Sequence, residues 1–595
     1  MGIPRNEYPR PQFVRKDWLC LNGPWQFEIA AGDSGAERGL LERELTGRIT
    51  VPFCPESKLS GVECVDFMNA VWYRRTVAIP KAWKGKKVLL HFQAVDYEAT
   101  VWVNDRRVGA HRGGWCGFTC DLGDVVAAGE KATIVVRARD GKGPGKPSGK
   151  QSHAAYHNSG CIYTRTTGIW QTVWMEPVGQ VHLKRPRITP DLGGGRFRLV
   201  QPITNSRPGT KLRVTLKDNK GVVCRALVEA AADFTPAVDL PIPKARRRLW
   251  NPEDPFLYDL DIELLDAKGK TIDRAASYAG LRSVTIDGQA VRINGRSVFQ
   301  RLVLDQGYYP DGILTAASDA ALRKDIELSL AAGFNGARLH QKVFEERFLY
   351  HADRLGYLVW GEFGDWGLDR AEPKATYITQ WLEVVHRDYN HPAIVGWCPL
   401  NETGQPIPDA VEGLDDLTHG LVLATKAMDL TRPVLDASGY SHREWDLDVY
   451  DSHDYDQDPA TFAARHAGLA AGEPFVNPGK DHAPWSLPYA GQPYFVSEFG
   501  GTWWQPISAA HRDSFAHDGS WGYGQAPRTL EEFYARFQGL CDALLDNPHM
   551  FGYCYTHLTD VFQEQNGIFL FDRGRKFDLR KLRAIQRRPA AVEKR

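Results

Sequence analysis

The chain has 595 residues, which is too many for a single hydrophobic core and predicts three or four domains. Lysine and arginine (73) balance aspartate and glutamate (73), so no basic field attracts nucleic acid or an anionic membrane surface, and we expect neither partner. Because no run of about 18 apolar residues occurs, the sequence also argues against a membrane span.

Residues 1–180 show the pattern of an all-β domain. Short β-branched or aromatic runs at 88–92, 99–103, 132–138 and 169–175 are typical strand candidates, and turn-forming residues separate them. No long helical periodicity interrupts these runs. Many short strands without helices favour a jelly-roll β-sandwich.

Residues 181–284 contain a second group of strand candidates, at 197–200, 211–216 and 258–264. Their alternation of apolar and polar residues indicates strands with one buried face. The length of the segment and the strand spacing predict an immunoglobulin-like β-sandwich.

From residue 285 to residue 595 apolar strands alternate with helical periodicity, which indicates repeated βα units. The predicted strands lie near 298–304, 334–339, 357–361, 394–400, 434–437, 448–452, 494–497 and 551–555. The predicted helices lie at 320–332, 344–355, 377–389, 414–429 and 530–545. Eight strands over about 300 residues is the count of a (β/α)8 TIM barrel, whose active sites lie at the carboxyl ends of the strands.

Two glutamates stand at such strand ends. Glu402 closes an apolar run that begins at Ile394, and Glu498 closes another that begins at Tyr494. A carboxylate at the end of a buried strand is costly, because its charged form loses hydration. Two of them in one barrel predict the acid/base and the nucleophile of a retaining glycosidase.

Short motifs along the chain point the same way. They are Leu21-Asn22-Gly23-Pro24-Trp25, Val71-Trp72-Tyr73-Arg74-Arg75, Val101-Trp102-Val103-Asn104, His111-Arg112-Gly113-Gly114, Gly168-Ile169-Trp170-Gln171 and Leu249-Trp250-Asn251-Pro252. In this order, followed by a barrel, they resemble glycoside hydrolase family 2, and the resemblance covers nearly the whole chain.

The resemblance implies roles for five residues. Glu402, in the pair Asn401-Glu402, corresponds to the family's acid/base, and Glu498 corresponds to its nucleophile. Asn401 is then expected to bind the sugar 2-hydroxyl, while Arg338 and Tyr455 donate hydrogen bonds that keep Glu498 ionised. We also expect the charge of Glu498 to raise the pKa of Glu402.

Further candidates for sugar contacts follow other barrel strands, and for each of them a structural role stays open. They are the histidines His340, His453 and His557, the aromatic residues Trp366, Trp503 and Tyr555, and Asp305. The histidines follow their strands directly. The tryptophans lie in loops where an aromatic platform for a sugar is expected.

The substrate class is argued from departures from the family pattern. The family's β-glucuronidases carry an Asn-x-Lys element, and the corresponding stretch Gln565-Asn566-Gly567-Ile568-Phe569 has no lysine. The metal-binding elements of the large β-galactosidases and the β-mannosidase pattern after strand two are also missing. We therefore expect no metal, no cofactor and a neutral sugar.

The predicted activity is exo-acting cleavage of a galactose-like terminal sugar from a glycoside or oligosaccharide. α-L-Arabinofuranosidase and β-galactofuranosidase activities are alternatives, and β-glucuronidase and β-mannosidase activities are less favoured. A non-catalytic carbohydrate-binding protein is the alternative of another class, and a homo-oligomer stays open.

The expected compartment follows from the N-terminus and the cysteines. The first residues lack an apolar signal core, and the ten cysteines show no paired metal spacing and lie in part within apolar runs. We expect a cytoplasmic protein with reduced cysteines. A removed signal peptide would leave no trace, so periplasmic and secreted locations stay open.

Overall fold

The computed structural model describes residues 2–141, 145–152, 158–366, 375–479, 483–504 and 519–594. All ten cysteines are free thiols. None of the helices in these residues combines the length and the apolar character that crossing a bilayer requires.

The N-terminal part is a β-sandwich whose sheets enclose a core of aromatic and aliphatic side chains. Its six-stranded sheet has the order Gly47–Val51, Gly23–Ile29, Ala70–Ala78, Lys131–Arg139, Glu98–Val103 and Arg106–Arg112. Its four-stranded sheet has the order Leu19–Cys20, Val173–Val178, Lys87–Phe92 and Phe118–Asp121, and a short pair joins Gly168–Ile169 to Val95–Asp96.

The expected strand at 169–175 is divided in two. Gly168–Ile169 pairs with one segment, and Val173–Val178 belongs to the four-stranded sheet. Between them the carbonyl of Trp170 accepts a hydrogen bond from Thr315 of the barrel, and the Trp170 indole N–H donates to the Gly114 carbonyl. Contacts with the barrel therefore interrupt a run that sequence alone joins.

The second part is an immunoglobulin-like sandwich with its own core. One sheet has the order Arg187–Asp191, Arg196–Val200 and Ala237–Pro241, the other has the order Gly221–Glu229, Lys211–Asp218, Tyr258–Leu265 and Thr271–Ala279, and His182–Leu183 pairs with Ile203–Thr204. A small sheet of Val284–Asp287, Ala290–Ile293 and Arg296–Ser297 leads into the barrel.

The barrel has eight strand positions, numbered here as barrel strands 1 to 8. They are Gln300–Asp305, Gly336–Leu339, Leu358–Glu362, Ile394–Cys398 with its extension Leu400–Asn401, Ala437–Ser438, Tyr450–Asp454, Tyr494–Phe499 and Met550–Tyr555. Strands 4-3-2-1-8-7-6 form one parallel sheet, and strand 5 pairs with the extension of strand 4. The gap between strands 5 and 6 is bridged where Gly439 N–H donates to Asp451 over 2.9 Å.

Seven helices, numbered α1 to α7, are described after the first barrel strand. They are Asp319–Ala332, Glu346–Leu355, Thr376–Asp388, Gly413–Met428, Pro459–His466, Leu530–Leu545 and Leu579–Gln586. Short 3-10 turns cover Lys58–Ser60, Lys81–Trp83, Lys244–Arg246, Ala467–Ala471 and Ala591–Lys594. Ser318, Asp458, Thr529 and Asp578 begin four of the helices by accepting hydrogen bonds from first-turn N–H groups.

The predicted fold class is confirmed: a jelly roll, an immunoglobulin-like sandwich and a (β/α)8 barrel follow one another. Each predicted barrel strand overlaps an observed one, and the five predicted helices are present within two residues of their expected bounds. Helices α5 and α7 were missed by the prediction. Each has eight residues, about two turns, so its periodicity is too short to recognise.

Buried polar contacts fix the second sandwich against the barrel. The Arg282 guanidinium donates to the carbonyls of Pro392 and Ile394, each over 2.7 Å, at the start of barrel strand 4. The Trp250 indole donates to the carbonyl of Asp353 over 2.7 Å. These bonds hold in place the base of the strand that ends at Glu402.

Candidate active site

Glu498 lies at the end of barrel strand 7 and is 3% exposed. Its Oε1 is 3.2 Å from Arg338 Nη1, and its Oε2 accepts a hydrogen bond from the Tyr455 hydroxyl. The Tyr455 ring stacks on Tyr523 with centroids 3.5 Å apart, which orients the hydroxyl. Two donors, one of them a permanent cation, therefore favour the ionised carboxylate in a buried place.

Arg338 lies one residue before the end of barrel strand 2, is fully buried and is held from three sides. Its Nε donates to Glu362 over 2.6 Å, its Nη1 donates to the Ser497 carbonyl over 2.7 Å, and its Nη2 donates to Asn401 Oδ1 over 3.0 Å. Burial lowers the pKa of Arg338, but Glu362 and Glu498 more than offset this and leave the pKa well above its usual value. Arg338 thus carries a fixed positive charge.

Asn401 is oriented by the same guanidinium. Because its Oδ1 accepts from Arg338, its amide nitrogen is left to face the site, where it is buried without a hydrogen-bond partner. Its backbone N–H donates to Asp365 Oδ2 over 3.0 Å. A buried amide NH2 group that has no partner can donate a hydrogen bond to a hydroxyl group of a ligand.

Glu402 differs from Glu498 in its backbone and its exposure. It has φ 49°, in the left-handed region that costs a non-glycine residue about 1–3 kcal/mol, and its N–H is fixed by the Ser438 carbonyl over 2.9 Å. The side chain is 22% exposed, and its Oε1 lies 2.7 Å from His453 Nδ1. The sharp bend at the strand end directs the carboxyl toward the opening.

The expected rise in the pKa of Glu402 is not observed. Burial raises this pKa, but the hydrogen bond and charge of His453, with the charges of Lys150 and Arg338, outweigh burial and leave the pKa below its usual value. Burial lowers the pKa of His453, and the charge of Glu498 and the bond to Glu402 reverse this and raise it. The correction arises because the sequence did not reveal that His453 pairs with Glu402.

The two carboxylates meet. One ligand atom each from Glu402, His453 and Glu498 lies within 4.8 Å of the others, so a carboxylate oxygen of Glu402 is that close to one of Glu498. This agrees with the roughly 5–5.5 Å between the carboxyl groups of retaining glycosidases. A cation could meet the same three atoms, but hydrogen bonds from His453 and Tyr455 already occupy the carboxylates. We therefore treat this group as an acid–base set and not as a metal site.

Two other predicted histidines are placed near Glu498 or the end of barrel strand 8. His340 Nδ1 is 3.8 Å from Glu498 Oε1, and burial lowers the His340 pKa well below its usual value. His557 is fully buried with Nε2 free of hydrogen bonds, and burial lowers its pKa to about 4. Both are neutral near pH 7 and can donate to or accept from a sugar hydroxyl.

The predicted tryptophans lie at the edge of the opening. Trp366 is half-buried and follows Asp365, the residue that holds the Asn401 backbone. Trp503 is half-buried, and its indole N–H has no hydrogen-bond partner. The residue before it, Thr502, forms a parallel β-bridge with Tyr523. Because both side chains are half-buried, their role as an aromatic platform for a sugar stays a prediction.

Two further predicted contacts, Tyr555 and Asp305, have structural partners of their own. The Tyr555 hydroxyl accepts from Thr502 N–H over 3.4 Å, and its ring packs against Phe537 of α6, so this side chain faces the helix layer. Asp305 Oδ1 accepts from Gly307 N–H over 2.9 Å, and burial, with the nearby charge of Asp325 in α1, raises the Asp305 pKa to about 7. Alternation along strand 8 could not tell the outer face from the opening.

Sequence reasoning missed a group at the junction of jelly roll and barrel. Lys150 Nζ lies 3.3 Å from Glu564 Oε2, and the Tyr163 hydroxyl donates to the same oxygen. Burial lowers the pKa of Lys150 and raises that of Glu564, but their mutual attraction reverses both shifts, so both are ionised. Only the fold brings residues about 400 positions apart together.

The jelly-roll loop also lines the opening. Gly149 packs so closely on the Gln341 carbonyl that a Cβ would lie 2.2 Å from it, and Gln341 in turn contacts His340 over 3.1 Å. The charge of Lys150 acts on Glu402. Lys150 therefore lies close enough to Glu402 and Glu498 for their charges to interact.

Comparisons with known proteins decide the family. Family models described as "Glycosyl hydrolases family 2, sugar binding domain", "Glycosyl hydrolases family 2" and "Glycosyl hydrolases family 2, TIM barrel domain" match residues 62–143, 181–282 and 314–467. The chain belongs to glycosyl hydrolase family 2. It is an O-glycosidase of the retaining kind.

Similar proteins within the family carry two kinds of name. A β-glucuronidase of Paenibacillus borealis is 26% identical over 70% of this chain and 72% of its own length, and a β-galactosidase of Thermoanaerobacter pseudethanolicus is 24% identical over 60% and 48%. The solved β-glucuronidase of Lactobacillus rhamnosus superposes with a TM-score of 0.78 at 20% identity and covers 100% of both chains. This last likeness shows the shared fold.

Proposed function

We propose that this family 2 member is an exo-acting β-glycosidase that removes a neutral terminal sugar, a β-galactoside first, with Glu498 as nucleophile and Glu402 as acid/base. The observation that carries the proposal is the approach of the two carboxylates to within 4.8 Å in different environments. The burial of Glu498, His340 and His557 favours a pocket for a chain end over an open groove.

In the first step a Glu498 oxygen attacks the anomeric carbon while Glu402 delivers a proton to the leaving oxygen. The bond from the anomeric carbon to the aglycone oxygen breaks, and a bond to Glu498 forms. Tyr455 and Arg338 hold the attacking carboxylate in place. The free Asn401 amide supports the 2-hydroxyl, a contact that strengthens in the transition state.

In the second step Glu402 takes a proton from water, and the water oxygen replaces Glu498 on the anomeric carbon. The partial exposure of Glu402 supplies the route for water, while Glu498 stays shielded. Two inversions at one carbon return the original configuration. The proton balance closes because Glu402 regains the proton it lost.

The ion pair at the jelly-roll junction supports a neutral sugar. Glu564 already neutralises Lys150, so a uronate carboxylate would approach Glu402 and Glu498 without meeting an unpaired cation from the pair at the junction, and this holds for the part of the opening that the described residues form. A sugar hydroxyl suits the pair better, because it can donate to Glu564 and accept from Lys150.

A β-uronidase is the second candidate. It is favoured by the β-glucuronidases among the relatives and by the buried positive charge of Lys150 beside the opening. In that arrangement Lys150 would bind the substrate carboxylate, and Glu564 would have to turn aside or take up a proton.

A panel of 4-nitrophenyl glycosides tests both candidates with the wild-type protein. We expect β-galactoside turnover to exceed β-glucuronide turnover by at least about tenfold. The panel also includes the α-arabinofuranoside, the β-galactofuranoside and the β-mannoside. Glu564→Gln should lower kcat/KM for the neutral sugar about tenfold or more, because a charged hydrogen-bond acceptor is lost. A glucuronide preferred by the wild type, and preferred more strongly by Glu564→Gln, would replace this proposal with the uronidase.

A further inference from the structure

His453 lies between the two carboxylates and a buried polar chain. Its Nδ1 is 2.7 Å from Glu402 Oε1 and 3.5 Å from Glu498 Oε2. Its Nε2 is 2.9 Å from Ser438 Oγ, and its backbone N–H donates to Asn477 over 2.8 Å. The ring is fully buried, so these contacts define its chemistry.

The hydrogen-bond chain assigns the protonation of Nε2. Ser438 Oγ lies 2.9 Å from Asp451 Oδ2, and Asp451 is ionised: burial raises its pKa, but the bond and charge of His442 outweigh burial and lower it to about 2. A hydroxyl beside a carboxylate donates its hydrogen to it. Ser438 must then accept from His453, so Nε2 carries a proton.

With Nε2 protonated, only Nδ1 can exchange a proton with Glu402. The 2.7 Å contact holds one proton in either of two ways, as a neutral carboxyl donating to Nδ1 or as an imidazolium donating to a carboxylate. We propose that His453 is a positioning residue that stores the catalytic proton jointly with Glu402 and releases it to the leaving group. This inference rests on the proposed roles of Glu402 and Glu498.

The surrounding charges favour storage of a proton on His453. Glu498 from strand 7, Glu402 from strand 4 and Asp451 from strand 6 face or approach His453, and they raise its pKa although burial lowers it. The charged groups that act on Glu402 from other elements are Arg338 on strand 2 and Lys150 in the jelly-roll loop, and His442 lies beyond Asp451.

The chemistry of the first step favours proton release at the right moment. When Glu498 bonds to the sugar its negative charge disappears, and the attraction that held the proton on the His453–Glu402 pair weakens. The proton moves to the aglycone oxygen as its bond to the anomeric carbon breaks. In the second step the pair takes a proton back from the attacking water, so the cycle is balanced.

The test compares pH profiles of kcat/KM for two aryl glycosides of the sugar that the wild type cleaves best. One has a 2,4-dinitrophenyl group, which leaves without protonation, and the other has a 4-methylphenyl group, which needs it. His453→Asn keeps an amide near Nδ1 that cannot titrate, and His453→Gln keeps contact with Ser438. Thermal melting reports whether each variant is folded.

In both variants the alkaline limb of the 4-methylphenyl profile should move at least about one pH unit lower, because the proton then rests on Glu402 alone. Activity on this glycoside at pH 7.5 should fall about 10²-fold, with only a few-fold change on the dinitrophenyl glycoside. His419→Asn, which alters an exposed His–Glu pair on α4, is the matched control and should leave both profiles unchanged.

Two results separate the hypotheses. An unmoved alkaline limb, or equal losses on both glycosides, would show that His453 is only structural and would overturn the inference. Glu402→Gln serves as the second reference: if it loses the same activity on both glycosides, the proposed acid/base role itself is wrong, whatever the His453 variants do.

Discussion

The ends of barrel strands 7 and 4 present the same side chain in opposite settings. Glu498 is almost fully buried and receives hydrogen bonds from Arg338 and Tyr455, while Glu402 is partly exposed and is bonded to His453. The partner at strand 7 is a permanent cation, and the partner at strand 4 is a histidine, whose pKa is raised by Glu498 and Glu402 although burial lowers it. One carboxylate is thereby paired with a charge that does not change, and the other with a group that can bind and release a proton.

This contrast teaches that the role of each glutamate is set by its partners and not by depth alone. Burial by itself costs each charged carboxylate part of its hydration. At Glu498 this cost is offset by Arg338, which is itself held by a salt bridge to Glu362. Removal of one partner from a comparable buried pair costs about 3–5 kcal/mol. At the end of strand 4, in the mechanism that we propose, His453 shares a proton with Glu402.

The largest expected effect comes from breaking the strand 7 side of the comparison. Glu498→Gln should lower kcat about 10⁴-fold or more on every aryl glycoside, irrespective of the leaving group, because no covalent intermediate can form. Steady-state rates across a series of leaving groups measure this. A loss that shrinks as the leaving group improves would instead place the acid role at Glu498.

A smaller effect is expected when one donor to Glu498 is removed. Tyr455→Phe keeps the ring stacked on Tyr523 but deletes the hydroxyl, and kcat should fall about 10²-fold since one preorganised donor is lost. Tyr489→Phe is the control: that hydroxyl donates to the Gln492 carbonyl before strand 7 and should not affect kcat. Similar kcat values for the two variants would mean that the hydroxyl of Tyr455 does not act on the nucleophile.

The smallest effect is expected at Ser438, which contacts His453 on the side away from Glu402. Ser438→Ala removes the acceptor for His453 Nε2–H, a bond worth about 1 kcal/mol, and should lower kcat/KM a few-fold while leaving the dinitrophenyl glycoside nearly unaffected. The pH profile should shift in the same direction as in His453→Asn, by less. A shift toward higher pH would contradict the assigned proton on Nε2.

The sequence predicted the architecture because its signals are local. Alternation in the sandwiches, βα periodicity after residue 285 and the position of Glu402 and Glu498 at strand ends all depend on neighbours in the chain. Arg338 and Tyr455 were also predicted as donors to Glu498, which the distances now support as a proposal.

What the sequence could not predict depends on contacts between distant segments. His453 was predicted only as a sugar contact or loop histidine, since its distance to Glu402 depends on how strands 4 and 6 are placed across the barrel. Tyr555 is a candidate sugar contact in the sequence with a packing role left open, and its ring packs on α6; alternation gives two faces without saying which is inside. Lys150 and Glu564 carry no local signal for one another.

The seam between jelly roll and barrel has a consequence for how this enzyme can be altered. Lys150 and Tyr163 belong to the sheet domain and Glu564 to the barrel, so under the proposed function sugar preference depends on two modules and bond breaking on one. Exchange of the loop around Lys150 would retune selectivity without touching the reacting glutamates. A barrel without the jelly roll would still carry Glu402 and Glu498. Its Glu564 carboxylate would lack Lys150 and Tyr163, so we expect its sugar preference to differ.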